Sequence, residues 1–211
     1  MRLPPQITTV LFDMDGVLID SSIAVHEAYS EWAVSNGFDP GEVLEIVHGR
    51  RTIEVVRRFG FDDDPEAEAD RLERSIAERA TIENAIEPSC DLYRSLDPAR
   101  IGVATSARKS TALNNLRVLG LNQPKVLVNG QDVRSGKPAP DPYLLAAERI
   151  GTDPATCVVI EDAPAGIEAG KRAGCHVVAL TTTHSADELT EADLTIEPKQ
   201  LHDLFSGLLS G

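Results

Sequence analysis

The chain has 211 residues, 42% of them hydrophobic and 26% charged, which fits a soluble core domain with room for a smaller insert. Its 34 acidic and 20 basic side chains give a formal net charge of -14, a surface that repels nucleic acid and acidic membranes. No apolar run is long enough to span a bilayer, and the opening MRLPPQITTV lacks a secretory signal, so a cytoplasmic protein is expected.

Residues 8–12 read as a strand, β-branched and apolar behind the breakers Pro4-Pro5. The strand ends in Asp13 and Asp15, two carboxylates close enough to repel each other. Residues 22–36 carry helical apolar spacing (Ile23, Val25, Ala28, Trp32, Ala33) and close at Asn36-Gly37. Short helices are expected over 42–47 and 52–59, around the turn His48-Gly49. A longer helix starts after FDDDP, with Asp64 as N-cap and Pro65 in its first turn, and runs through EAEADRLERSIAERATIEN. The acidic run 62–64 lacks the glycine and ligand spacing of a calcium loop.

From residue 87 onward short apolar strands alternate with amphipathic helices. The strands are IGVAT (101–105), KVLVN (125–129), CVVIE (157–161), HVVAL (176–180) and DLTI (193–196). Helices are expected near 90–96, 110–119, 142–150, 165–173 and 200–209, with Asp141 as an N-cap before Pro142. This alternation predicts an α/β fold, a doubly wound parallel sheet covered on both faces. The first strand belongs to that sheet, yet none follows it until residue 101. The core is therefore expected over 1–20 and 87–211, with a small all-helical insert over 21–86. Cys90, Cys157 and Cys175 form no CxxC and read as packing residues.

In open parallel sheets, ligands bind at the carboxyl ends of the strands. The first strand is followed by Asp13, Asp15 and Gly16, the second by Thr105 and Ser106, the third by a loop reaching Lys137, and the fourth ends in Glu161-Asp162. Acids, hydroxyls and one lysine thus collect on one rim. Gly166, Gly170 and Gly174 recur every fourth residue and predict a bare helix stripe against the sheet, with Gly174 as C-cap.

In their order, DMDGVLIDS, GVATS, GKPAPDPY and VVIEDAPAGIEAGKRAGC make the chain resemble the haloacid dehalogenase superfamily, in its phosphatase branch with a helical cap. The resemblance implies that Asp13 attacks phosphorus and that Asp15 serves as general acid and base. It implies a Mg2+ ion held by Asp13, Asp162 and the Asp15 carbonyl, with Glu161 holding a metal-bound water. Thr105 and Lys137 would bind the phosphoryl group, helped by Ser106. The insert would be a lid whose turn VHGRRT, with His48, Arg50 and Arg51, reads the substrate. Capped members with this turn include sugar, polyol and glycerol phosphatases, which implies a small phosphorylated metabolite as partner and a monomer or weak homodimer.

Two other readings compete. β-Phosphoglucomutase-type members carry a cap histidine where this chain has Val25, with His26 one residue late, a shift of about 100° around a helix. A non-catalytic binding module is the other, and every filled catalytic position argues against it. Relatives often re-enter the core through Pro-Gly, whereas this chain has Glu87-Pro88.

Overall fold

Val10, Leu11 and Phe12 lie in the middle of a six-stranded sheet because no polar residue interrupts them and both faces of the sheet are covered. The computed structural model describes residues 2–47, 49–61 and 64–209. Its strands are β1 (Thr9–Phe12), β2 (Ile101–Ala104), β3 (Val126–Val128), β4 (Cys157–Glu161), β5 (His176–Leu180) and β6 (Leu194–Ile196). All pair in parallel, in the order β3-β2-β1-β4-β5-β6.

Side-chain alternation sends Val10 and Phe12 to one face and Leu11 to the other. The first face packs on α5 (Glu87–Ser95), α6 (Lys109–Val118) and α9 (Leu201–Leu209), through Leu92, Leu116 and Phe205. The second packs on α7 (Asp141–Ile150) and α8 (Pro164–Arg172), through Tyr143, Ala146 and Ile167. The stripe on α8 works as expected at Gly170, where an added Cβ would lie 2.8 Å from Val177. Gly174 takes φ +84° just past the helix end. The three cysteines are buried and form no disulfide.

Between β1 and β2 the chain forms α1 (Ser22–Ser35), α2 (Pro40–Leu44), α3 (Thr52–Arg58) and α4 (Pro65–Glu78), with an apolar centre of their own. Trp32 anchors it, with ring centroids 5.6, 5.9 and 5.4 Å from Phe38, Phe59 and Phe61. Asp-Pro pairs start two of these helices. Asp39 Oδ1 accepts from Glu42 N (3.1 Å) and Asp64 Oδ1 from Ala67 N (3.0 Å), each satisfying a first-turn N–H. The helical cap leaves and rejoins the core side by side: Ile19 and Ala85 form an antiparallel bridge, and Asp20 N donates to Asn84 O at 2.7 Å.

Two boundaries differ from expectation. α4 stops at Glu78 instead of running on to Asn84, because Thr81 and Asn84 make a capping box of their own, with Thr81 N donating to Asn84 Oδ1 at 2.8 Å. α7 begins at Asp141, with Pro140 at the N-cap, since Pro140 already holds near-helical angles (φ -74°, ψ -10°). No helix among the described residues is long and apolar enough to cross a membrane.

Candidate active site

Asp13 N donates to Ile160 O at 3.0 Å and Thr105 N to Val128 O at 2.9 Å, so each extends its strand's ladder by one residue onto the carboxyl rim. The sheet order reverses between β1 and β4, and this crevice holds Asp13 beside Asp162. Beyond Asp13 the chain turns sharply, with Met14 O accepting from Leu18 N (2.8 Å) and Ile19 N (3.1 Å). Gly16 makes the turn at φ +73°, and an added Cβ would overlap the Asp162 carboxylate. Asp15 stands at the pocket edge and accepts from Ser21 Oγ at 2.7 Å.

Lys137 is fully buried under this rim. Its Nζ lies 2.7 Å from Asp13 Oδ1 and 2.6 Å from Glu161 Oε1. Glu161 Oε1 also accepts from Tyr143 Oη (2.6 Å), while Oε2 accepts from Asp162 N (3.0 Å) and Ala163 N (3.4 Å). A carboxylate offers about four lone-pair positions, and here all are used. The contacts seen here make Glu161 a clamp on Lys137, and its carboxylate also stands with Asp13 and Asp162 in the group that could hold a metal. Asp13 Oδ1 differs, since Lys137 approaches it as an ion pair without hydrogen-bond geometry.

Burial pushes the Asp13 carboxyl up to about 7, the Glu161 charge adds to this, and Lys137 opposes it. Burial, then Glu161 and Asp13, hold Asp162 well above the usual carboxylate range. Asp15 is raised by burial and tempered by the Ser21 hydrogen bond. Burial would lower Lys137, but Asp13 and Glu161 outweigh it and keep the ammonium charged.

Asp13, Glu161 and Asp162 bring carboxylate oxygens within 4.8 Å of one another. Beside the Glu161 clamp stand Asp13 and Asp162. Two adjacent buried carboxylates, one with an oxygen lacking any directed hydrogen bond, fit a hard divalent cation that takes oxygen ligands. That fit is chemical, from the donor set itself.

The pocket above these acids has two walls. Ser106 and Thr111 belong to the core side; Val25, Tyr29, Arg50, Thr52, Glu73 and Ile76 come from the cap. Thr105 is buried just below, its Oγ1 accepting from Ala107 N at 3.1 Å, which leaves the hydroxyl proton to donate. Ser106 Oγ donates across to Gly49 O at 2.9 Å. Arg50 is exposed at the pocket; its backbone N–H donates to Val47 O at 3.3 Å, while its side chain makes no hydrogen bond or ion pair among the described residues. His48 lies outside the described residues. Val25 lines the pocket, whereas His26 is exposed and does not.

Arg51 departs from expectation. Its guanidinium donates to Val133 O (3.1 Å), Arg134 O (3.1 Å) and Glu54 Oε1 (2.7 Å from Nε), which makes it a tie to the loop after β3. With Gly130 O accepting at 3.4 Å and a second bond to Glu54, all five N–H donors of the fork are engaged and none is left for substrate. Arg108 reciprocates from the core, pairing with cap residues Glu66 (2.5 Å) and Asp70 (2.9 Å).

Sequence reasoning overlooked Thr183, which donates to Asp162 Oδ2, and His184, whose Nδ1 lies 3.0 Å from Asp162 O. Both follow the fifth strand, so the rim rule applied one strand further would have found them. It also overlooked Glu73, whose carboxyl is raised by burial against hydrogen bonds from Thr52 and Thr111.

The haloacid dehalogenase-like hydrolase model matches residues 10–180, and the chain belongs to that family. It is 40% identical over 191 residues to hexitol phosphatase A of Escherichia coli, covering 88% of each chain. It is 33% identical over 198 residues to glycerol-1-phosphate phosphohydrolase 2 of Saccharomyces cerevisiae, covering 88% of this chain and 79% of the other. The fold is shared with a β-phosphoglucomutase of Clostridium difficile, at a TM-score of 0.79, 22% identity and 97% coverage of both chains.

Proposed function

We propose that the protein is a Mg2+-dependent phosphatase of small sugar or polyol phosphomonoesters, working in the cytoplasm as a monomer or weak homodimer. The observation that carries this reading is the meeting of Asp13, Asp162 and Lys137 at the sheet's reversal point, under a pocket roofed by the cap. The relatives named hexitol phosphatase A and glycerol-1-phosphate phosphohydrolase 2 support both the reaction and the substrate class.

In this reading Asp13 attacks phosphorus through a carboxylate oxygen. The ester P–O bond breaks, and the departing alkoxide takes a proton from Asp15. Water then attacks the aspartyl phosphate, its proton returning to Asp15, and phosphate leaves with Asp13 regenerated. Asp15 needs a raised pKa for both transfers, and burial raises it. Lys137 and the Thr105 hydroxyl offset charge on the phosphoryl oxygens. Mg2+, when held by Asp13, Asp162 and the Asp15 carbonyl, would screen the phosphoryl group from the carboxylate that attacks it. We place the cap at residues 21–86 and the core at 1–20 and 87–211, with His48, Arg50 and Ser106 at the substrate's edge.

The test is phosphate release in Mg2+ across a panel of glycerol, hexose and hexitol phosphates, with Asp13→Asn as control. Release by the wild type but not by the variant is expected. Activity in the Asn variant would remove Asp13 as nucleophile, and isomerised sugar phosphate in place of inorganic phosphate would favour a mutase.

A further inference from the structure

Glu73 has no part in the phosphoryl chemistry, yet it is only 4% exposed and lines the same pocket as Asp13. Burying a carboxylate without a basic partner is expensive. The obvious partner is close by and engaged elsewhere, since the Arg108 guanidinium pairs with Glu66 and Asp70 and only its backbone N–H approaches Glu73, at 3.4 Å. What serves Glu73 instead is hydroxyl groups. Thr52 Oγ1 donates to Glu73 Oε1 at 2.6 Å, and Tyr29 Oη donates to Thr52 Oγ1 at 3.2 Å. Three cap helices, α1, α3 and α4, each contribute one member of this chain, and Ile76 and Val25 supply apolar surface beside it.

We propose that Glu73, set by Thr52 and Tyr29, is the subsite that reads the hydroxyl groups of a polyol chain, accepting hydrogen bonds from them on the wall opposite Asp13. The inference rests on the phosphatase reading above and names the part of the substrate that the cap recognises. A polyol offers O–H donors along its length, and a carboxylate is their strongest neutral-pH acceptor, because the bond is charge-assisted. An alkyl phosphate of equal length offers none, so its binding would strip water from the pocket beside the Glu73 carboxylate without supplying a donor in its place. Sites built to bond a hydroxyl reject analogues lacking it for this reason. Burial raises the Glu73 carboxyl even though Thr52 and Thr111 hydrogen-bond to it, so a further hydroxyl donor from substrate would favour its charged form. A purely structural Glu73, holding Thr52 at the start of α3, would weaken all substrates alike when changed.

The experiment compares kcat/KM for glucitol 6-phosphate and for hexyl phosphate in Mg2+, using the full chain and the variants Glu73→Gln and Glu73→Ala. The ratio of the two should fall about 10- to 100-fold in Glu73→Ala, mainly through KM of the hexitol ester, and less in Glu73→Gln. If Glu73→Ala does not fold, Glu73→Gln, of the same shape, carries the test. An unchanged ratio in a folded, active variant overturns the subsite while the phosphatase reading stands. A wild type that releases phosphate from neither compound, nor from p-nitrophenyl phosphate, removes both.

Discussion

Gly166 and Glu161 occupy space that admits only one side chain: a Cβ built on Gly166 would overlap the Glu161 carboxylate. The bare position at the start of α8 is therefore a recess for the group that clamps Lys137. Gly166→Ala should displace Glu161 and free Lys137 from one of its two anions. The overpacking should cost about 1–3 kcal/mol, lowering the melting temperature. Phosphatase activity should fall as well, whereas Gly207→Ala, changed in α9 with open space around it and no positive φ, should leave activity intact. An active Gly166→Ala enzyme would show that the clamp is dispensable.

The metal-free site should make stability pH-dependent in a defined direction. The Asp13 carboxyl sits at about 7 in the folded chain against an ordinary 3.8, so folding takes up a proton across that interval. The stabilising contribution is present below 3.8 and is lost as pH rises through about 7. Chelator-treated wild type should lose more melting temperature between about pH 5 and about pH 8 than Asp13→Asn does. Added Mg2+ should restore the wild type at the upper end and do little for the variant, a comparison that thermal denaturation reads directly.

Arg50 and Arg51 should separate in their effects although they are neighbours. Arg50→Ala should raise KM for a polyol phosphate, because the side chain faces the pocket without a partner. Arg51→Ala should instead loosen the cap's hold on the loop at residues 130–134. Faster amide hydrogen exchange in that loop, with similar losses on polyol and p-nitrophenyl phosphates, is the expected signature. A KM effect confined to the polyol ester would return Arg51 to substrate reading.

A carboxylate on the far wall should also discriminate by charge. Gluconate 6-phosphate, which ends in an anion, should be a poorer substrate than glucitol 6-phosphate. Glu73→Gln should narrow that preference, about 10-fold for a lost like-charge contact in a shielded pocket. Steady-state kinetics on the two esters checks it.

The core was legible because its signals are local. Near-continuous apolar runs mark the strands, Asp64-Pro65 marks a helix start, and the strand ends carry Asp13, Thr105 and Asp162 in chain order. Roles that depend on partners were not legible. Arg51 reads as a substrate ligand until the carbonyls of Val133 and Arg134 are seen around it. Glu161 reads as a metal-site residue, and its clamp on Lys137 shows only once Tyr143 and Lys137 are seen around it. Glu73 looks like one more charge on an acidic amphipathic helix, and only packing of α4 over the core turns it inward. Such residues are defined by what lies across a gap of tens of positions in the chain.

The paired backbone at Ile19 and Ala85 has an evolutionary corollary. Because departure and return happen at one doorway, the material between them can lengthen, shrink or be replaced without retuning the sheet. On the proposed reading, selection can thus revise which alcohol is recognised while the phosphate-cleaving machinery beneath stays untouched, and a graft between relatives would need to match only two adjoining seams.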